Sequence, residues 1–211
     1  MRVITCTIIS AVVAFSVGYF LASQKTINAP PPMVQSFIWP PLELEPFELI
    51  QTTNQIFDET NFLGHWTLIF FGYTHCPDIC PTTMATLAAV NKQLSNGYSF
   101  QNKPQILFVS VDPERDKLTV LKRYKNAFDP NFIAATANQE QLHRLVRQFG
   151  SKTVKISSDK KNQYWYDHPA TVSLVSPDRS LMGMFLPPFN PTDISSQIET
   201  IAAWYENLNQ S

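Results

Sequence analysis

Residues 66–73, Trp-Thr-Leu-Ile-Phe-Phe-Gly-Tyr, carry no charge and run through Thr74 into His75-Cys76-Pro77-Asp78-Ile79-Cys80-Pro81. An uncharged run this short, rich in aromatic and β-branched residues, has the pattern of a strand buried on both faces, as in a sheet covered by helices. The segment after such a strand is a β-to-α connection, where backbone N–H groups point outward and stabilise negative charge. Each cysteine precedes a proline, which disfavours helix at the cysteine and supplies a good first helical residue. The pattern therefore predicts a tight loop over 76–80 and a helix over 81–94. Cys80 falls at the N-cap, where the dipole and free amides lower a thiol pKa.

The spacing bears on what two such thiolates do. Redox dithiols commonly use Cys-x-x-Cys, and here three residues separate Cys76 from Cys80. A disulfide needs Cβ atoms within roughly 3.5–4.5 Å, a condition that the longer loop meets only in some conformations. A soft metal ion accepts a wider gap, because a metal–sulfur bond of roughly 2.3 Å stands on each side. The spacing tilts toward a metal and leaves disulfide exchange open. A third ligand must come from elsewhere, and His168, in Tyr164-Trp165-Tyr166-Asp167-His168-Pro169-Ala170 ahead of a strand expected at 171–175, is the best candidate. In a thioredoxin-like sheet the segment entering that strand passes beside the cysteine loop. Two thiolates and an imidazole suit copper, or else zinc. Asp167 is a candidate outer partner of the histidine.

The block 66–81 resembles the signature of the Sco/SenC family, and so do Val109-Ser110-Val111-Asp112-Pro113-Glu114-Arg115-Asp116 and Asp167-His168, in the same order. The resemblance extends over roughly residues 47–205. It implies a membrane-tethered, thioredoxin-fold copper protein that helps assemble the binuclear copper centre CuA of cytochrome c oxidase subunit II. It further implies that Cys76, Cys80 and His168 bind Cu(I) or Cu(II), and that the two thiols exchange with partner cysteines. Asp78 matches the family's acidic residue between the cysteines, associated with partner docking or tuning of the site. Two positions depart from the family pattern. Pro169 stands where a small or hydroxylated residue is usual, and a cis His168–Pro169 bond is one consequence to look for. Residues 51–55 replace an Asp- and Gly-containing hairpin turn, which Asn54 is still able to make.

Residues 3–22 contain no charged side chain, and twenty helical residues span roughly 30 Å, the thickness of a bilayer's hydrocarbon core. A signal-anchor over 1–22 is expected in preference to a cleaved signal peptide, since no small-x-small cleavage site stands out. Arg2 agrees with an N-in orientation, although Lys25 weakens the asymmetry. Cys6 lies within the apolar run as a lipid-facing or packing residue. Residues 23–46, with Ala29-Pro30-Pro31-Pro32 and Trp39-Pro40-Pro41, are expected to form an extended tether. The soluble domain over 47–211 then lies outside the cytoplasm, where thiols oxidise readily. With apolar sequence starting at residue 3 there is no room for an Arg-rich transit peptide, which favours a bacterial inner membrane, single-pass, with the domain in the periplasm. Such a dithiol needs a thioredoxin-like reductant before it loads copper, and a copper donor.

The globular part reads as one α/β domain: a hairpin over 47–50 and 55–58, strands at 67–72, 105–111 and 132–135 alternating with helices at 81–94, 117–127 and 140–149, then a hairpin over 171–176 and 180–185 and a final helix at 191–208. That order predicts a thioredoxin-like, mostly parallel central sheet flanked by helices. With 16 basic and 17 acidic residues and no basic run, nucleic acid is excluded as a partner. His75 reads as a surface or outer residue rather than a ligand, and His65 and His143 as surface. Residues 112–116 resemble paired catalytic carboxylates, but the simpler reading is a turn that caps the next helix and shapes the site rim. Tyr164, Trp165 and Tyr166 are compatible with shielding the histidine, with a partner surface, or with edge-strand packing. The alternative function is a thiol–disulfide oxidoreductase that reduces the copper-ligand cysteines of the target. A peroxidase of the Pro-x-x-x-Thr-x-x-Cys type is disfavoured, because Ile69 and Tyr73 occupy the Pro and Thr positions.

Overall fold

The computed structural model describes residues 37–96, 104–157, 163–168 and 170–209. The elements run β1 (Phe37–Glu43), β2 (Glu48–Gln51), β3 (Ile56–Asp58), a short 3-10 turn (Glu59–Phe62), β4 (Thr67–Gly72), α1 (Ile79–Asn96), β5 (Gln105–Ser110), α2 (Leu118–Asn126), β6 (Ile133–Thr136), α3 (Gln139–Gln148), β7 (Val154–Ser157), β8 (Tyr164–Asp167), β9 (Val172–Val175), β10 (Ser180–Phe185) and α4 (Pro191–Asn209). Eight strands form one sheet in the order β1-β10-β9-β4-β5-β6-β2-β3, and β7 and β8 form a separate pair.

The sheet is mixed, which corrects the expectation of a mostly parallel one. Among the described strands only β4–β5 and β5–β6 run parallel, because only these neighbours are joined through a helical crossover. Short turns join β2 to β3 and β9 to β10, so those pairs are antiparallel. β9 also lies antiparallel against β4, and β2 against β6. Asn54, at φ 63°, makes the turn between β2 and β3 as expected, and Arg179, at φ 70°, makes the one between β9 and β10.

Every residue of β4 is buried, as are all but the first of β5. Phe70, Phe108, Leu68 and Leu107 have less than 2% of their surface exposed, which places the centre of the core at these two strands. Phe57 and Phe62 extend it beneath the first hairpin, 5.4 Å apart edge to face. The helices α1 and α4 pack against each other, with Ile194, Ile198 and Ile201 of α4 turned inward.

One stretch assigned to the tether belongs to the sheet. Residues 37–43 pair with β10, with Phe37 opposite Gly183 and Glu43 opposite Ser180. Proline lacks an N–H, so two prolines in a strand are compatible only with a sheet edge, and β1 occupies that edge. Phe37 and Trp39 meet Trp204 of α4 edge-on at 5.1 and 5.3 Å. The expected membrane helix at 1–22, and residues 23–36 of the tether, lie outside the described residues. Among the described residues no helix is long and apolar enough to cross a membrane. Removing residues 1–43 should lower the stability of the domain by roughly 2–3 kcal/mol relative to removing residues 1–36, the worth of the half-buried Phe37 and Ile38 and of the cover over Trp204. Urea midpoints of the two shortened chains measure this, and equal midpoints would mean that β1 adds nothing to the domain.

Candidate metal centre

β4 delivers the chain to the cysteine loop at the middle of the sheet. Its last residue, Gly72, has no room for a side chain: a Cβ there would lie 2.9 Å from Cys80 Sγ and 3.0 Å from both Phe108 Cε2 and Phe70 Cε1. The glycine is what allows Cys80 to sit directly against the strand end. Cys80 is fully buried, while Cys76 and His168 each retain 9% exposure.

The helix after the loop begins earlier than the prolines suggested. α1 starts at Ile79 rather than Pro81, so Cys80 lies inside the first turn and is not the N-cap. A proline within the first four helical residues costs no hydrogen bond, since those N–H groups have no intrahelical partner. Cys76 takes the capping role instead, its sulfur accepting the Cys80 N–H at 3.4 Å. Thr82 donates its N–H and its hydroxyl to the Asp78 carbonyl at 3.2 and 2.9 Å, which secures the turn.

His168 follows β8 directly and reaches the same point, its Nε2 3.3 Å from Cys80 Sγ. Phe70 and Tyr73 hold the ring edge-on, at centroid distances of 6.1 and 5.6 Å. One donor atom from each of Cys76, Cys80 and His168 lies within 4.8 Å of the others. Donors sharing one ion through bonds of about 2.0–2.3 Å stand roughly 3.5–4.5 Å apart. The trio therefore fits a single soft ion with little movement. Of the other residues the sequence singled out, Asp78 and Asp167 are exposed. His75 is half-exposed, with Nδ1 3.2 Å from the Thr74 hydroxyl and 3.6 Å from Asp116 Oδ1. His168–Pro169 lies partly outside the described residues, so its isomer has no structural account.

The two thiols are not equivalent, and the order is the reverse of that expected. Hydrogen bonding to Cys80, through both its side chain and its backbone, outweighs burial and lowers the Cys76 thiol to about 4, with a further contribution from His168. Cys80 is pushed far up, first by that same bond to Cys76 and then by burial. Two adjacent sulfurs in a dry site do not ionise together. The more exposed one carries the charge, and the proton stays on the buried one.

Residues 112–116 do something sequence reasoning missed. They do not cap α2, whose N-cap is Lys117 with no side-chain cap bond. The Asp116 carboxylate, with no exposure, accepts from the Thr74 N–H at 2.8 Å, the Thr74 hydroxyl at 2.6 Å and the Ser110 hydroxyl at 2.6 Å. It thereby ties the cysteine loop to the end of β5. Asp112, also without exposure, accepts from Arg115 Nε and from the Tyr164 hydroxyl, the latter at 2.9 Å. The only signal for this in the sequence was two acidic residues closing a buried strand, which is also how a helix cap looks.

An α/β fold that presents two thiols at the mouth of its central strand, and brings an imidazole to them from beyond β8, defines a thioredoxin-like protein equipped to hold one soft metal ion. The chain belongs to the SCO1/SenC family, whose model matches residues 40–203. A mitochondrial SCO2 homologue of Danio rerio is 36% identical over 152 residues, covering 72% of this chain and 53% of its own length. The chain thus spans about half of that relative. A SCO2-like protein of Rickettsia prowazekii is 37% identical over 143 residues, covering 66% of this chain and 67% of its own. Among solved structures, Arabidopsis thaliana ScoI with copper bound is similar at a TM-score of 0.69 and 28% identity, over 74% of this chain and 96% of its own.

The thiol asymmetry has a consequence for pH. A group whose folded pKa lies below its unfolded value stabilises the fold fully above the unfolded pKa, and the benefit is lost as pH falls through the folded one. Cys76, lowered from 9.0 to about 4, should make the reduced, metal-free protein gain stability from pH 4 toward pH 9. Cys76→Ser should flatten that rise. Urea unfolding across the range reads the difference, and ultraviolet thiolate absorbance should show a single thiol titrating near 4.

Proposed function

We propose that Cys76, Cys80 and His168 bind copper as cargo, and that the chain is a copper-binding assembly factor delivering the metal to, or maturing, the CuA site of cytochrome c oxidase subunit II or a similar cuproprotein. The observation that carries this reading is the convergence of the three donors within 4.8 Å. A thiolate, a thiol that metal would deprotonate, and an imidazole are soft or borderline donors, the set that favours copper over hard ions. Three protein ligands leave coordination space for an incoming thiolate or thioether of the recipient. Transfer can then proceed by stepwise ligand exchange rather than by release of a free ion. Asp78 and Asp167, exposed around the site, are assigned to docking the recipient or tuning the metal.

The setting is part of the same proposal. Residues 3–22 act as a single-pass anchor in a bacterial inner membrane, and the domain works in the periplasm beyond the spacer that precedes β1. A thioredoxin-like reductant keeps the dithiol reduced, and a periplasmic donor supplies copper. The sequence features supporting this are the twenty uncharged residues at 3–22 and the prolines after them.

A second reading has its own observation. An exposed-side thiolate at Cys76 beside a protonated Cys80 is the arrangement of an attacking and a resolving thiol. In that reading Cys76 attacks the recipient's disulfide, Cys80 displaces it to form Cys76–Cys80, and the recipient leaves with two reduced cysteines. Anaerobic Cu(I) titration of the reduced protein against a competing chelator separates the two. One tight equivalent is expected, weakened at least about 100-fold in His168→Ala, because even an outer partner of a metal ligand is worth about 10–100-fold. Binding indifferent to His168 would leave the dithiol reductase as the better account.

A further inference from the structure

His168 stands between β8, which is not part of the main sheet, and β9, which starts four residues later and pairs with β4. It follows β8, and among the described strands β8 pairs only with β7, through register contacts from Val154–Asp167 to Ser157–Tyr164. β9 anchors the segment on one side of His168, so on the other side the distance from imidazole to thiols depends on how this hairpin is docked. Two tyrosines dock it. Tyr166, with 4% exposure, packs on Tyr73 at 5.7 Å, and its hydroxyl meets Gln139 Oε1 at 3.4 Å. Tyr164, at the start of β8, lies under the Arg115 guanidinium, whose carbon sits 3.7 Å from the ring centroid. Arg115 Nη1 donates to the Tyr164 carbonyl at 3.1 Å, while Nε donates to the buried Asp112 carboxylate. The Tyr164 hydroxyl closes the ring of contacts on Asp112 Oδ1 at 2.9 Å and on Glu114 Oε2 at 3.2 Å. Lys155 of β7 completes the clamp, 2.7 Å from Glu114 and 3.9 Å from the Tyr164 centroid.

We propose that Arg115 is a positioning residue for the metal centre, clamping Tyr164 so that His168 stands at a set distance from Cys76 and Cys80. The inference rests on the reading of those three residues as a copper site and adds the means by which the third ligand is placed. The same five-residue loop holds both halves of the centre. Asp116 fixes Thr74, two residues before Cys76, and Arg115 with Asp112 fixes Tyr164, four residues before His168. A lysine cannot replace the arginine here. Only a planar fork addresses a carboxylate with one edge and a carbonyl with another while its face lies on an aromatic ring.

Arg115→Ala would strand the buried Asp112 charge and endanger the fold, so the test uses Arg115→Lys and Tyr164→Ala, each alone and combined with His168→Ala. In protein with His168, each variant should weaken Cu(I) binding by about 10–100-fold, the range for outer partners of a metal ligand. In the His168→Ala background the same changes should shift the remaining affinity by no more than about 2-fold, the scatter of independent sites. Equal losses in both backgrounds would show that Arg115 acts on the fold or the thiols, and would overturn the proposal. So would full affinity in both variants while His168→Ala binds weakly. In metal-free protein, the ring resonances of His168 should move or broaden in both variants while those of His65, in the turn before β4, stay. Unmoved His168 resonances would sink the clamp whatever copper does. Copper affinity that His168→Ala alone leaves unchanged, with the His168 resonances moved in both clamp variants, would instead keep the clamp and remove the copper reading.

Discussion

A carboxylate removed from water is tolerable only when its oxygens are fully engaged, and Asp116 meets that condition by holding Thr74 and Ser110 together. Ser110 ends β5 and Thr74 lies two residues beyond β4, so the bond network closes the gap that opens where two parallel strands part. The cysteine loop is thereby attached to the neighbouring strand before it turns into α1. Gly72 then lets Cys80 lie against the strand end, and Cys76 caps the helix with its own sulfur. Each of these contacts presupposes the one before it. A loop free to drift at Thr74 would set neither sulfur.

The inequality of the thiols is a result of that placement. Cys80, pressed against Gly72 and fully buried, has no route to solvate a charge. Cys76 sits one turn earlier, at the rim, and receives the helix amide. Around it Pro77, Asp78 and Ile79 are exposed, with Ile79 at 39%, and Trp165 on β8 is at 48%. His168 approaches from a different part of the chain: the thiols stand on the loop and first helical turn that follow β4, and the imidazole stands between β8 and β9.

Several elements were legible residue by residue. β4 and β10 agree with their expected bounds, 67–72 and 180–185, and Asn54 turns the first hairpin. These are places where composition and local geometry point the same way. The convergence of Cys76, Cys80 and His168 was legible too, because thiol and imidazole chemistry narrows the choice to a few residues. What failed were inferences from proline. Proline after Cys80 did not delay α1, since the first helical turn has no amide to lose, and two prolines at 40 and 41 did not keep β1 out of the sheet, since an edge position spares the missing N–H. In both cases the local rule held and the wider context met its condition.

Taken alone, the sequence determined the buried central strand, the alternation of strand and helix behind it, the family resemblance and the choice of Cys76, Cys80 and His168 as candidates. These rest on local pattern and on the chemistry of individual side chains. Only the tertiary structure decided that the sheet is mixed, because strand direction depends on which neighbours meet and not on their order alone. It alone decided which thiol holds the charge, since that turns on the hydrogen bond between the two sulfurs and on their unequal burial. It also turned Asp112, Arg115 and Asp116 from a helix cap into partners of the cysteine loop and of β8, because contacts with Thr74 and Tyr164, some forty to fifty residues away in the chain, exist only once folding has brought these segments together.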